Sequence, residues 1–177
     1  IVLDSLRKHG NKCPIMISSS TQAALDNPYG KSKRAGEELM FEYSKETGVE
    51  VLVYRFPNVF GKGCLPNYNS AVATFCYNIA NDLPIHVNDR SVEMNLVYID
   101  DLVNELISAL VGDGHKNSDG YCFIPEVHVI SLGAIVDLIY SFHESQKQEK
   151  VLGISDTFNK KLYTTYKSYL TIKQVGE

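Results

Sequence analysis

No Gly-x-Gly-x-x-Gly or Gly-x-x-Gly-x-x-Gly run occurs anywhere in the 177 residues. The glycine turn that presses backbone against a pyrophosphate at a helix N-terminus is therefore not supplied by this chain. Gly61-Lys62-Gly63 and the pair Gly30 and Gly36 have the wrong spacing or context for it. Basic residues are not in excess: 17 Lys and Arg against 21 Asp and Glu leave a net charge of -4, and the lysines are scattered. That excludes the electrostatic footprint of a nucleic-acid binder. Apolar stretches do not exceed strand length and none reads as a secretory signal, so no membrane partner and a cytoplasmic location are expected. No Cys-x-x-Cys occurs, and Cys13, Cys64, Cys76 and Cys122 lie too far apart to suggest a disulfide framework. His9, His86, His115, His128 and His143 show no ligand spacing, so no metal is expected.

What is present is an alternation of short apolar runs with helical patterns. Strands are expected at 13–18, 50–55, near 84–87 and 93–98, and at 120–124. Helices are expected at 28–46, 69–82, 100–111, 131–146 and 156–169. Val2, Leu3 and Leu6 read as the end of a further helix, and Asp100 as the N-cap of helix 100–111. Strands separated by helices predict an α/β fold with a mostly parallel sheet and right-handed crossovers.

Within that pattern, Tyr29 and Lys33 carry the most chemical information. Asn27 suits an N-cap and Pro28 a first helical position, which places both residues in the first two turns of helix 28–46. A spacing of four puts phenol and ammonium on one face. A nearby cation favours phenolate, which makes a tyrosine a usable acid or base. Cys13-Pro14-Ile15-Met16-Ile17 reads as a buried strand ending in Ser18-Ser19-Ser20-Thr21. Hydroxyls at the carboxyl end of such a strand lie where open α/β sheets bind ligands, and one of them can hydrogen-bond the substrate oxygen that the tyrosine protonates.

Strand, serine cluster, loop and Pro-Tyr-Gly-Lys-Ser-Lys together resemble the extended short-chain dehydrogenase/reductase family of nucleotide-sugar epimerases, dehydratases and reductases. Four other segments share the resemblance. Val51 to Gly61 contains Arg55-Phe56-Pro57-Asn58-Val59-Phe60-Gly61, similar to the turn at the family's sugar-nucleotide pocket. Asn67-Tyr68-Asn69-Ser70 opens a substrate-covering helix, and Asp89-Arg90 resembles the arginine that grips the diphosphate. Asn95-Leu96-Val97-Tyr98-Ile99-Asp100-Asp101 is similar to the strand-to-helix signature, with Tyr98 where histidine is usual. Asp26 to Lys33, Lys62 to Ser70 and Val87 to Arg90 are closer still to reductases of bacterial capsular-polysaccharide synthesis.

The resemblance implies the C-terminal part of a Rossmann-like, doubly wound parallel sheet plus a small substrate-binding subdomain. Residues 1–170 would form a partial reductase domain, with substrate segments at about 56–98 and 120–170. Residues 171–177 would begin a linker to a cupin-like domain. Because the chain opens on Ile1 within a helix and lacks the glycine turn, an internal fragment missing two or three βα units is expected.

The implied chemistry is reduction of a UDP-4-keto-6-deoxy-N-acetylhexosamine with NADP, or NAD, as cofactor. The catalytic set would be Tyr29, Lys33 and Ser20, with Ser19 or Thr21 as alternative hydroxyls. Ser18, Ser19, Tyr29, Lys33, Phe56 and Pro57 would contact the cofactor, and Asn58, Asn67, Asn69 and Arg90 the sugar nucleotide. Gln22 and Ala23 stand where dehydratases carry Asp-Glu, which argues against dehydration. A 4-epimerase with bound NAD uses the same residues and stays open. So does a non-catalytic fragment whose output is dimerisation through helix 28–46, with Leu39, Met40 and Tyr43 on one side. A homodimer is expected.

Overall fold

Three local choices place the helix that bears Tyr29. The Asn27 side chain accepts a hydrogen bond from the Gly30 backbone N–H at 2.7 Å. Pro28 occupies the first turn, where its missing N–H has no partner to lose. Gly48 ends the helix with φ 71°, a left-handed conformation that glycine adopts without a Cβ clash.

The computed structural model describes residues 1–149, 153–154 and 156–170. Its helices are α1 (Val2–His9), α2 (Pro28–Thr47), α3 (Ala71–Ala80), α4 (Ile99–Leu110), α5 (Leu132–Lys147) and α6 (Thr157–Leu170). Its strands are β1 (Ile15–Ser20), β2 (Val51–Phe56), β3 (Asn58–Phe60), β4 (Glu93–Tyr98), β5 (Tyr121–Cys122) and β6 (His128–Ser131), and a 3-10 turn covers Thr21–Ala24. The expected linker at 171–177 lies outside the described residues.

Two compact units divide these elements. The first holds Ile1–Pro57 and Glu105–Pro125. Its sheet runs β1-β2-β5, all parallel, with Ser18 opposite Tyr54, Ser19 opposite Arg55 and Ser20 opposite Phe56. Val51, Val53, Met40, Tyr43 and Val49 form its core. The second holds Asn58–Asn104 and the described residues between Glu126 and Leu170, with a sheet of order β3-β4-β6. Its core is larger and joins Phe60, Leu96 and Tyr98 to the apolar faces of α3, α5 and α6, including Ile79, Ile139, Leu162 and Tyr166.

Several expectations need correction. Residues 84–87 form no strand, while β3 and β6 were not anticipated. β3 is three residues long and β6 four, too short to show a period of two. β6 runs antiparallel to β4, so only the first unit's sheet is wholly parallel. α4 begins at Ile99, which moves Asp100 from the N-cap into the first turn. α3 begins at Ala71, with Ser70 as cap accepting from the Ala73 N–H at 3.2 Å. Met40 and Tyr43 are buried against the first unit's strands, so of the three residues read as a dimer face only Leu39 is exposed.

Candidate active site

α2 brings Tyr29 and Lys33 onto one face, as the spacing predicts. The Lys33 ammonium lies 5.7 Å from the centroid of the Tyr29 ring. It also donates to the Ser18 carbonyl at 3.4 Å, which links the start of α2 to the end of β1. Tyr29 is 51% exposed, so its phenol is open to a ligand. Gly30 explains how the helix starts so close to the preceding turn. A Cβ there would lie 2.3 Å from the Gln22 carbonyl oxygen and 2.7 Å from that of Leu25.

Strand alternation separates the three serines. Ser18 and Ser20 share one side of β1, exposed and half-buried, while Ser19 is buried on the other. Ser20 caps the 3-10 turn, its Oγ accepting from the Gln22 N–H at 3.2 Å, which leaves its own O–H available to donate. The Ser19 hydroxyl instead donates to Glu37 at 2.5 Å. As a side-chain partner for cofactor or carbonyl, Ser19 is therefore already committed. Thr21 is exposed at the start of the 3-10 turn. Phe56 and Pro57 close β2, half-buried, with Phe56 stacked on Tyr54 at 5.6 Å between centroids.

Glu37 was not anticipated. It is fully buried and receives Arg55 as a two-pronged fork, Nε to Oε1 at 2.9 Å and Nη2 to Oε2 at 2.6 Å. Burial opposes its ionisation, but the bonds from Arg55 and Ser19 outweigh it and hold the carboxyl below its usual range. The available signal was positional: Glu37 lies four beyond Lys33 on the same face, in a sequence with an arginine on the neighbouring strand.

The second unit holds the other candidates. Asn58 and Asn69 line one small cavity of about 40 Å³ together with Ser70 and Met94. Asn69 also lines a larger cavity of about 560 Å³ formed by Tyr68, Ser70, Thr74, Phe75 and the segment His86 to Asp89. Asn67 adopts a left-handed conformation, φ 55°. Its N–H donates to Thr74 Oγ1 at 3.0 Å, so it holds the entry to α3. Arg90 does not line that larger cavity: its guanidinium donates to Asp137 at 2.6 Å and to the Gly133 carbonyl at 3.2 Å. Gly133 permits this approach, since a Cβ there would meet Arg90 at 3.0 Å.

One grouping that includes a histidine is formed by residues distant in sequence. Asp101, Glu126 and His128 bring their ligand atoms within 4.8 Å of one another. The Lys161 ammonium fills this cluster, 2.7 Å from Asp101 and 2.7 Å from Glu126, and supplies the cation itself.

The parallel sheet is thus followed, after its serine-tipped strand β1, by the helix that carries Tyr-x-x-x-Lys. The sequence profile of the NAD dependent epimerase/dehydratase family matches residues 8–118, and the chain belongs to that family. It is 40% identical over 167 residues to the UDP-2-acetamido-2,6-beta-L-arabino-hexul-4-ose reductase of Pseudomonas aeruginosa, covering 94% of this chain and 44% of that protein. The crystal structure of the capsular polysaccharide assembling protein CapF from Staphylococcus aureus superposes with a TM-score of 0.91. That match has 46% identity and covers 99% of this chain and 48% of that one. A UDP-glucose 4-epimerase from Thermotoga maritima, crystallised with UDP-glucose, shares the fold at a TM-score of 0.76. It is 17% identical, and the match covers 98% of this chain and 68% of that one. The chain thus spans about half the length of the first two of these relatives.

Proposed function

We propose that this chain carries the proton-transfer and sugar-binding half of a reductase that converts a UDP-4-keto-6-deoxy-N-acetylhexosamine to its 4-hydroxy product in capsular polysaccharide synthesis. The observation that carries the reading is the Tyr29–Lys33 face beside the Ser18–Ser20 strand end. Similarity to the Pseudomonas reductase supports the choice of substrate.

Tyr29, Lys33 and Ser20 suit the nicotinamide-ribose end of a dinucleotide, which when bound supplies hydride to the carbonyl carbon; NADP is the form proposed, with NAD as the alternative. The Tyr29 phenol donates its proton to the carbonyl oxygen as that oxygen gains negative charge. The Ser20 hydroxyl donates to the same oxygen and polarises the carbonyl beforehand. Lys33, on the same face as Tyr29, offers N–H donors to the cofactor's ribose. Ser18, Phe56 and Pro57 are the proposed cofactor wall of the first unit. In the second unit, the 560 Å³ cavity with Asn69 is the proposed receptor for the nucleotide portion, with Asn58 beside it. Arg90 would serve the diphosphate by exchanging Asp137 for a phosphate oxygen.

The protein would act in the cytoplasm as a homodimer, with Leu39 at the exposed face of α2. No helix among the described residues is long and apolar enough to cross a membrane. Following NADPH absorbance with the keto sugar in the full-length protein tests the reading: stoichiometric oxidation is expected there, and none from these 177 residues alone. Inversion of a UDP-hexose without net cofactor oxidation would establish a 4-epimerase instead.

A further inference from the structure

The steps above leave unused the most buried ionisable group near the site. Glu37 shares the Tyr29–Lys33 face one turn further along α2 and is 0% exposed. Its carboxylate accepts from Ser19 of β1 at 2.5 Å and from both prongs of Arg55 of β2, at 2.9 and 2.6 Å. Arg55 Nη2 also donates to the Tyr121 hydroxyl of β5 at 2.8 Å, and the guanidinium lies 3.7 Å over the Tyr121 ring. Ser19 and Arg55 are register partners, so one side chain of α2 is bonded across the sheet beneath it.

We propose that Glu37 is a positioning residue: by locking α2 onto the ends of β1 and β2, it sets where Tyr29 and Lys33 stand relative to Ser20. The proposal rests on the reading of Tyr29 as proton donor. A bidentate Arg–carboxylate pair fixes direction as well as distance, so α2 cannot slide or rotate without breaking charge-assisted bonds away from water. The other polar link between this face and β1, Lys33 to the Ser18 carbonyl, is a single bond of 3.4 Å with solvent access. It is too weak a tether to define the approach by itself. A leucine at position 37 would meet the packing need without burying a charge, whereas a buried ion pair offers geometric specificity.

The test uses Glu37→Gln and Glu37→Leu in the full-length protein, assayed below the melting transition of each variant. Glu37→Gln keeps an acceptor for Ser19 but loses the charged fork. Its kcat for NADPH oxidation with the keto sugar is expected to fall on the order of 10- to 100-fold, as for a misplaced catalytic group. KM for the sugar should stay within about two-fold, because substrate contacts are untouched. Glu37→Leu should lose more. Crystal structures of both variants should show Lys33 Nζ beyond hydrogen-bond distance of the Ser18 carbonyl. Wild-type kcat in folded Glu37→Leu, or an unmoved α2 N-terminus in both structures, overturns the proposal and leaves Glu37 a purely structural group. If the wild-type protein fails to oxidise NADPH with the keto sugar, the functional reading fails, and the crystallographic comparison still decides the positioning role.

Discussion

Replacing Glu105 tests the polar interior of the first unit with magnitudes that the structure supplies. Glu105 lies in α4, 5% exposed. It accepts from the Tyr54 hydroxyl at 2.8 Å and from the His115 backbone N–H at 2.7 Å, and meets His115 Nδ1 at 2.7 Å. Tyr54 is wholly buried, and burial, reinforced by the Glu105 carboxylate, pushes its phenol pKa up, so it remains a donor. Glu105→Ala removes the acceptor of the Tyr54 hydroxyl and the His115 N–H. Tyr54 is wholly buried whereas His115 is exposed and its N–H can turn to water, so the cost is that of one unsatisfied buried group, about 1–3 kcal/mol before any cavity. Glu105→Gln keeps an oxygen for both donors and turns its amide N–H toward His115 Nδ1, so its cost should be about 1 kcal/mol.

Urea unfolding followed by circular dichroism at neutral pH measures both differences. The pH dependence sharpens the test. Burial opposes ionisation of Glu105, but the His115 and Tyr54 bonds outweigh it and hold its pKa below the ordinary 4.5. A depressed carboxyl pKa contributes stability that is complete above the unfolded value and lost as pH falls through the folded one. The advantage of wild type over Glu105→Gln should therefore shrink as pH falls from about 5 toward 3. Equal losses in the two variants, or a Glu105→Ala loss under about 0.5 kcal/mol, would refute the reasoning.

Other substitutions separate structural from chemical roles. Ser19→Ala should cost about 1–2 kcal/mol in urea unfolding, because a buried acceptor on Glu37 loses its donor. Ser20→Ala should leave stability within about 1 kcal/mol and lower kcat about ten-fold or more, as loss of an oxyanion donor does. Gly30→Ala should lower stability by about 1–3 kcal/mol, since the added methyl would meet two backbone oxygens. Calorimetry would show it as a lower Tm. Arg90→Ala should raise KM for the nucleotide sugar about ten-fold while changing kcat little, if the guanidinium meets the diphosphate. An unchanged KM would remove Arg90 from the site.

The elements that could be read from sequence were those with punctuation or length. Asn27-Pro28 and Gly48 bound α2 almost to the residue, and the period of α5 and α6 placed them within a residue or two. β3 and β6 carry no such signal, because pairing with β4 makes them strands, and pairing is a tertiary fact. The site divides the same way. Tyr29 and Lys33 follow from helix geometry alone, and a run of three serines follows from composition. Which serine turns inward needs the phase of β1, which the bond of the buried Ser19 to Glu37 reveals. The engagement of Arg90 with Asp137, 47 residues away in sequence, was beyond any local pattern. So was the placement of Lys161 among Asp101, Glu126 and His128.

The proton-donor assignment of Tyr29 is the centre of the account. Its most direct test is the rate of NADPH oxidation by Tyr29→Phe in the full-length protein, with UDP-4-keto-6-deoxy-N-acetylhexosamine at saturation. Phenylalanine keeps the ring beside Lys33 and removes only the hydroxyl. A kcat reduced about 100-fold or more, with the fold and cofactor binding intact, is the predicted result. A kcat within about two-fold of wild type would contradict it.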